Sequence, residues 1–226
     1  RGARTPDVST NGTGKSSESQ FIHLPNGDLR LYSRNSVGYI SYADSSDGGK
    51  TWGVSKLDNN LGYCGNCMVS FINLEGKLVD PDNTVYENLI LASYPKENYR
   101  SSGVIRIGSI DPKTNEVTWF NDDTIRFPGR YNYSCLTQYL DENGKPADLF
   151  AVLYEQDDTT NAKGVMAMRY VELTAADLLG DGWILVNEVS EPVTLDVDIS
   201  LVDIIAGESK AIAIEYSPAD AEVRWT

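Results

Sequence analysis

Residues 45–52 read SSDGGKTW, and this stretch decides the fold. Ser45, Asp47, Gly49 and Trp52 stand in the order Ser-x-Asp-x-Gly-x-x-Trp. Each residue type has a mechanical reason to be there. An aspartate accepts from backbone amides and fixes a tight reversal, a glycine supplies positive φ, and a tryptophan packs beneath. That reading makes all four residues structural. SIDPKTNEVTW at 109–119 is a stretched copy, with Ser109, Asp111 and, after extra residues, Trp119. Two copies about 64 positions apart indicate a repeat, and a repeat of four-stranded size is a propeller blade.

Working outward, the chain from 18 to about 173 reads as β throughout. FIHL, then PNGD, then LRLYSR (21–34) is a hairpin with Asn26-Gly27 at its tip. VGYISYA (37–43) is the next strand, and MVSFINL-EGK-LVD (68–80) has the form of another hairpin. NLILASY (88–94) and GVIRIGSI (103–110) follow. CLTQYL and FAVLYE (135–140 and 150–155) form a further pair, and GVMAMRYVEL (164–173) closes the set. TAADLLG (174–180) is a helical hint too short to shape the fold. The expected class is all-β, a partial propeller. Blades of roughly 40–50 residues allow about three in 18–184, and a ring of three cannot close. The rest of the ring is expected in sequence outside this chain.

The ends differ. Residues 1–17 are polar, rich in Gly, Ser and Thr, and read as a loop or linker. Residues 185–226 change character: PVTLDVDIS alternates strictly, with Val193, Leu195, Val197 and Ile199 on one face. GESKAIAI, SPADA and a Trp strand then resemble the opening of a bacterial immunoglobulin-like β-sandwich, which stops before it could finish.

Composition removes several function classes. The chain is 41% hydrophobic, enough for a packed core. Lys and Arg total 19 against 33 Asp and Glu, a net charge of -14. A nucleic-acid binder needs a basic stripe, and an anionic membrane would repel this charge. No run reaches the length of a membrane-spanning helix, and no secretion signal or initiator Met is present. With three Cys and one His, a zinc site would need Cys64, Cys67, Cys135 and His23 to converge. CGNC at 64–67 has redox spacing but lacks a thioredoxin-like context. The three Cys are expected as small apolar core residues and His23 as a strand residue.

The turn at 45–52 is an Asp-box, and it belongs to an ordered set. ESQ at 18–20, SRN at 33–35, YRSSGVIRIGS from 99, and YNYSCLTQ from 131 with LYE ending at Glu155 accompany it. Together they resemble the C-terminal half of a bacterial exo-sialidase (neuraminidase), over about residues 16–175. The resemblance implies a six-bladed propeller with the active site at its centre and the Asp-boxes at its rim. It implies removal of terminal sialic acid from sialylated glycans by a secreted or cell-surface enzyme that requires no cofactor; no metal-ligand set can be named, and a propeller calcium stays open.

The substrate's chemistry accounts for the residue types. Sialic acid carries a carboxylate on its anomeric carbon, so a carboxylate nucleophile would meet an anion. The family uses a tyrosine, deprotonated by a glutamate. The matching residues are Tyr133 and Glu18. Tyr133 is favoured over Tyr131 because it directly precedes the S-x-L of the motif. Three arginines clamp the substrate carboxylate in the family. Arg34 matches the second and Arg100 the third, and Glu155 matches the acid that holds the first. The first arginine and the Asp acid/base match nothing in residues 1–17, where Arg1, Arg4 and Asp7 lack the flanking pattern. Both are expected in the missing N-terminal half of the propeller, so this chain alone is expected to be inactive.

Three alternatives stay open. A trans-sialidase, or an enzyme releasing an anhydro sugar, would use the same residues. A lectin-like propeller would need the arginines but not the Glu-Tyr couple. A structural Asp-box protein would need neither.

Overall fold

The run LILASY leaves no polar face to turn toward water, so a strand built on it must be covered on both sides. The computed structural model of the chain, which describes residues 16–122, 126–157 and 166–187, places it that way. The chain passes through β1 (Ser16–His23), β2 (Leu29–Asn35), β3 (Ser41–Ser45), β4 (Lys56–Leu57), β5 (Ser70–Leu74), β6 (Lys77–Val79), β7 (Val85–Tyr86) and β8 (Leu89–Glu97). It continues through β9 (Ser101–Ile110), β10 (Val117–Trp119), β11 (Phe127–Arg130), β12 (Ser134–Leu140), β13 (Pro146–Asp157) and β14 (Met166–Leu173). The helix α1 (Ala175–Leu179) and β15 (Ile184–Val186) complete the described residues.

Among these residues the strands form four sheets. β1-β2-β3-β4 is the first, and β12-β13-β14 is another. Between them lies a five-stranded sheet, β10-β9-β8-β5, with β11 also paired to β9. Its two faces feed two cores. Ile90, Ala92, Tyr94 and Val104 join Ile22, Tyr32, Ile40 and Phe71 on one side. Leu89, Leu91, Ile105 and Ile107 join Tyr131, Phe150, Val152 and Tyr154 on the other. The Tyr32 and Phe71 rings stack at 4.0 Å, tying the first sheet to the second. Such a pair adds about 1 kcal/mol beyond the area it buries.

The hairpin of 21–34 forms as expected. The expected hairpin of 68–80 does not. β5 pairs with β8, while β6 turns away into a fourth sheet ordered β15-β6-β7. The chain swings at Gly76 (φ 99°), where a Cβ would meet the Val186 carbonyl at 2.8 Å. β6 therefore pairs through the adjacent turn with β7 on one side and with β15, arriving from the far end of the unit, on the other. TAADLLG becomes α1, closed by a capping box in which Thr174 and Asp177 each cap the other's backbone. The first described strand, β1, begins at Ser16, and the last, β15, ends at Val186. The immunoglobulin-like segment lies outside the described residues.

The 45–52 turn is held by its own side chains. Asp47 accepts from the Ser45 hydroxyl (2.9 Å), the Thr51 amide (2.8 Å) and the Thr51 hydroxyl (2.7 Å). Ser45 Oγ accepts from the Gly49 amide at 2.9 Å. Gly49 sits at φ 85° over the Trp52 ring. These bonds lower the Asp47 carboxyl from 3.8 to about 2. Its contribution to stability is therefore complete above 3.8 and lost as pH falls through about 2. Replacing Asp47 by Ala should lower the melting temperature by roughly a few degrees at neutral pH. A calorimetric scan of the variant checks this, and the difference from wild type should vanish near pH 2.

Candidate functional site

Glu18 sits where β1 breaks its register. Pairing with β2 slips between Ser17 and Ser19, leaving Glu18 in a bulge at φ 32°. Bulges re-aim side chains, and positive φ at a non-glycine residue is strain that the neighbouring pairing must sustain. The re-aimed carboxylate meets two partners. Oε2 accepts from Arg34 Nη1 at 2.8 Å. Oε1 accepts from the Tyr133 hydroxyl at 2.7 Å, across 115 positions of sequence.

The other elements deliver their residues to the same end. Arg34 lies in β2, opposite Ser17. Arg100 ends the loop between β8 and β9, where Tyr99 and Arg100 both take left-handed backbone (φ 61° and 56°). Its guanidinium carbon lies 5.3 Å from the centroid of the Tyr133 ring, a cation–π distance. The Arg100 carbonyl accepts from the Tyr131 amide at 2.8 Å, which ties this loop to the segment before β12. Glu155, in β13, donates its amide to the Tyr133 carbonyl and accepts from the Asn132 amide, both at 3.0 Å. Its backbone thus brackets Tyr133, while its carboxylate makes no hydrogen bond among the described residues.

Tyr131 has a different task. It is fully buried, its hydroxyl meets the Ser93 hydroxyl, and its ring stacks on Tyr154 at 4.5 Å. Burial pushes its hydroxyl well above the ordinary tyrosine range. It is a packing residue, and only Tyr133 reaches the carboxylate.

The electrostatics give a resting protonation state. Burial pushes the Glu18 carboxyl up, but hydrogen bonds from Arg34 and Tyr133 and the charges of Arg34 and Arg100 outweigh it. The net effect holds Glu18 below 4.5. The bond to Glu18, and then burial, raise the Tyr133 hydroxyl above 10, with Arg100 opposing. At neutral pH a carboxylate therefore faces a neutral phenol. That pair can pass a proton, and Arg100 beside the ring eases the phenolate that results.

The cysteines do not compete for this role. Cys64 and Cys67 are free and buried. Burial pushes the Cys64 thiol up to about 11 and moves Cys67 in the same direction, so both remain thiols at neutral pH. Cys135 departs from expectation: it is exposed, because its β12 position faces away from the core beside Leu153. His23 is an exposed strand residue whose amide and carbonyl are both bonded by Asn73. One neighbour of the site was not legible. Asn66 Oδ1 accepts from Arg34 Nε at 3.1 Å, and its only sequence signal was the Gly-Asn turn pair inside CGNC.

No family model matches the chain. It is 27% identical over 164 residues to an anhydrosialidase of Macrobdella decora, covering 65% of this chain and 19% of that protein. A solved intramolecular trans-sialidase of Ruminococcus gnavus is 28% identical, with a TM-score of 0.57 over 74% of this chain and 34% of its own. A leech intramolecular trans-sialidase has the same fold at 24% identity, with a TM-score of 0.58 over 75% of this chain and 25% of its own. The chain spans about a third or less of the length of these relatives. Its β-sheet architecture is consistent with the propeller-type sialidase fold, and its sequence is similar to these sialidases at 27–28% identity.

Proposed function

We propose that this chain supplies the C-terminal half of the propeller of a retaining exo-sialidase, which removes terminal sialic acid from glycoconjugates. The observation that carries the reading is the 2.7 Å hydrogen bond from the Tyr133 hydroxyl to Glu18. Sugar binding alone has no use for an ionised base on a tyrosine hydroxyl.

In this reading Glu18 takes the proton of Tyr133, and the phenolate oxygen attacks the anomeric carbon. The bond to the leaving sugar breaks, and an Asp from the remainder of the propeller protonates the departing oxygen. Water then attacks the same carbon and gives its proton to that Asp, the bond to Tyr133 breaks, and Glu18 returns its proton to the phenolate. Two displacements at one carbon retain its configuration. Arg34 and Arg100 hold the substrate carboxylate, joined by an arginine from the other half that Glu155 steadies. Relatives named as intramolecular trans-sialidases leave the acceptor in the second step open, as water or the sugar's own hydroxyl. Product analysis separates the two.

The test is release of sialic acid from a fluorogenic sialoside by the full-length protein. Turnover is expected, and the acid limb of kcat/KM set by Glu18 should lie below 4.5. The base must be ionised, and its neighbours hold its pKa down, so activity persists until pH falls below the ordinary carboxylate range. A folded full-length protein that binds sialoside and releases nothing would make the domain a lectin-like module instead.

A further inference from the structure

The CGNC turn sits against this site without belonging to any of its strands. Gly65 and Asn66 both take left-handed backbone (φ 61° and 51°), and the Cys67 amide donates to the Cys64 carbonyl at 3.2 Å. Positive φ at both central residues with that bond makes a type I′ turn, for which Gly and Asn are suited. The turn is anchored from behind. The Cys64 amide and thiol both donate to the Gly38 carbonyl, at 2.7 and 3.1 Å.

From that anchor the turn reaches both arginines. Gly65 packs on the β8–β9 loop so closely that a Cβ would lie 2.6 Å from the Glu97 carbonyl oxygen and 3.4 Å from Arg100 Cα. Just before the turn, the Tyr63 hydroxyl donates to Asn98 Oδ1 at 2.6 Å, in the same loop. On the other side Asn66 Oδ1 takes Arg34 Nε at 3.1 Å, while Glu18 takes Nη1 at 2.8 Å. With Nε occupied, the side-on fork of the guanidinium is closed to an incoming carboxylate. Nη1 keeps a second proton beyond the one given to Glu18, so an anion can pair bidentately only along the Nη edge, and the two bonds fix the rotation of the guanidinium plane before substrate arrives.

We propose that Asn66 is a positioning residue that presents the Nη edge of Arg34 to an anionic substrate, and that the 64–67 turn is the platform on which Arg34 and Arg100 are both mounted. The identity of that anion, the carboxylate of a sialic acid, rests on the function proposed above. The spacing of CGNC is then a matter of turn geometry: two small buried thiols pin the ends, and the central pair faces the arginines.

Asn66→Gly removes the amide while keeping a residue at ease with positive φ, so the turn survives. In the full-length protein this variant should raise KM for a sialoside and the inhibition constant for free sialic acid together, by about tenfold. Its kcat should change by less than about threefold, because the Tyr133–Glu18 hydrogen bond does not involve Asn66. A folded variant with unchanged KM and inhibition constant overturns the proposal. A second readout needs no substrate. The Arg34 Nε proton should exchange with water slowly in wild type, about tenfold faster in Asn66→Gly, and slowly again in Asn66→Asp, which keeps the acceptor. If the full-length protein proves unable to turn over sialosides, the proposed function fails, and the exchange rates alone decide the role of Asn66. Equal rates in wild type and Asn66→Gly would overturn it.

Discussion

Tyr133→Phe should abolish release of sialic acid, with kcat falling about a thousandfold or more, while the protein stays folded. The size of the effect follows from what the hydroxyl does. It is the attacking oxygen, and a phenyl ring has no atom to replace it. The specificity of the effect follows from where it sits. The hydroxyl bonds to Glu18, and the ring lies half-buried beneath Arg100, so losing one oxygen removes no core contact. The melting temperature should move by no more than about a degree. Glu18 should register the change, because one of the bonds that lowers its pKa is gone. Its carboxyl carbon should titrate at higher pH in the variant. Tyr131→Phe provides the contrast. It loses the contact with Ser93 inside the core, so it should cost about 1 kcal/mol of stability without a comparable loss of kcat. Similar kcat losses in both variants would mean that the two tyrosines act through structure and that Tyr133 is not the nucleophile.

The sequence made the local features legible and left the long-range ones hidden. The hairpin about Asn26-Gly27 and the side-chain-bonded turn at 45–52 are decided by residues within a few positions of each other, so pattern and turn chemistry suffice. β8 was legible as a strand because its apolar run admits few alternatives. One partner of β6 was not, since β15 lies over a hundred residues later and no local pattern encodes that pairing. Cys135 looked like a core thiol on composition, but β12 has one face toward the core, and register put this residue on the other. The candidate site followed the same division. The resemblance to the sialidase motifs singled out Glu18, Arg34, Arg100 and Tyr133, and the folded chain brings these four together. The bulge that turns Glu18 toward Tyr133 had no signature, because the slip is a property of two strands together. Asn66 was overlooked for a related reason. The cysteine spacing was set aside for want of a thioredoxin-like context, while the informative residues were the two between the cysteines.

Gly103→Ala should be among the most destabilising single substitutions in the described residues, at about 3 kcal/mol. Gly103 lies in β9, paired with Pro95 and Phe127, and a Cβ there would overlap three atoms of the Tyr131 ring. Overlap is cheap when the obstructing group can swing away. Tyr131 cannot. Its ring packs on Phe127 at 5.6 Å and on Tyr154 at 4.5 Å, those two rings also touch each other at 4.9 Å, and its hydroxyl is held by Ser93. Backbone must therefore give, and the nearest backbone carries the site. Arg100 lies three residues before Gly103, Tyr133 lies two residues after Tyr131, and the Tyr131 amide is bonded to the Arg100 carbonyl. A shift of about 1 Å there could cost a hundredfold in rate even in molecules that fold. A double-mutant cycle isolates the cause. Tyr131→Ala alone should cost about 4 kcal/mol by emptying the stack. It also removes the obstruction, so the double variant should be more stable than the sum of the single effects by about 2 kcal/mol in denaturant titrations. Strict additivity would place the cost of the alanine elsewhere, in the pairing of β9 itself, and would uncouple the packing of Tyr131 from the placement of Arg100.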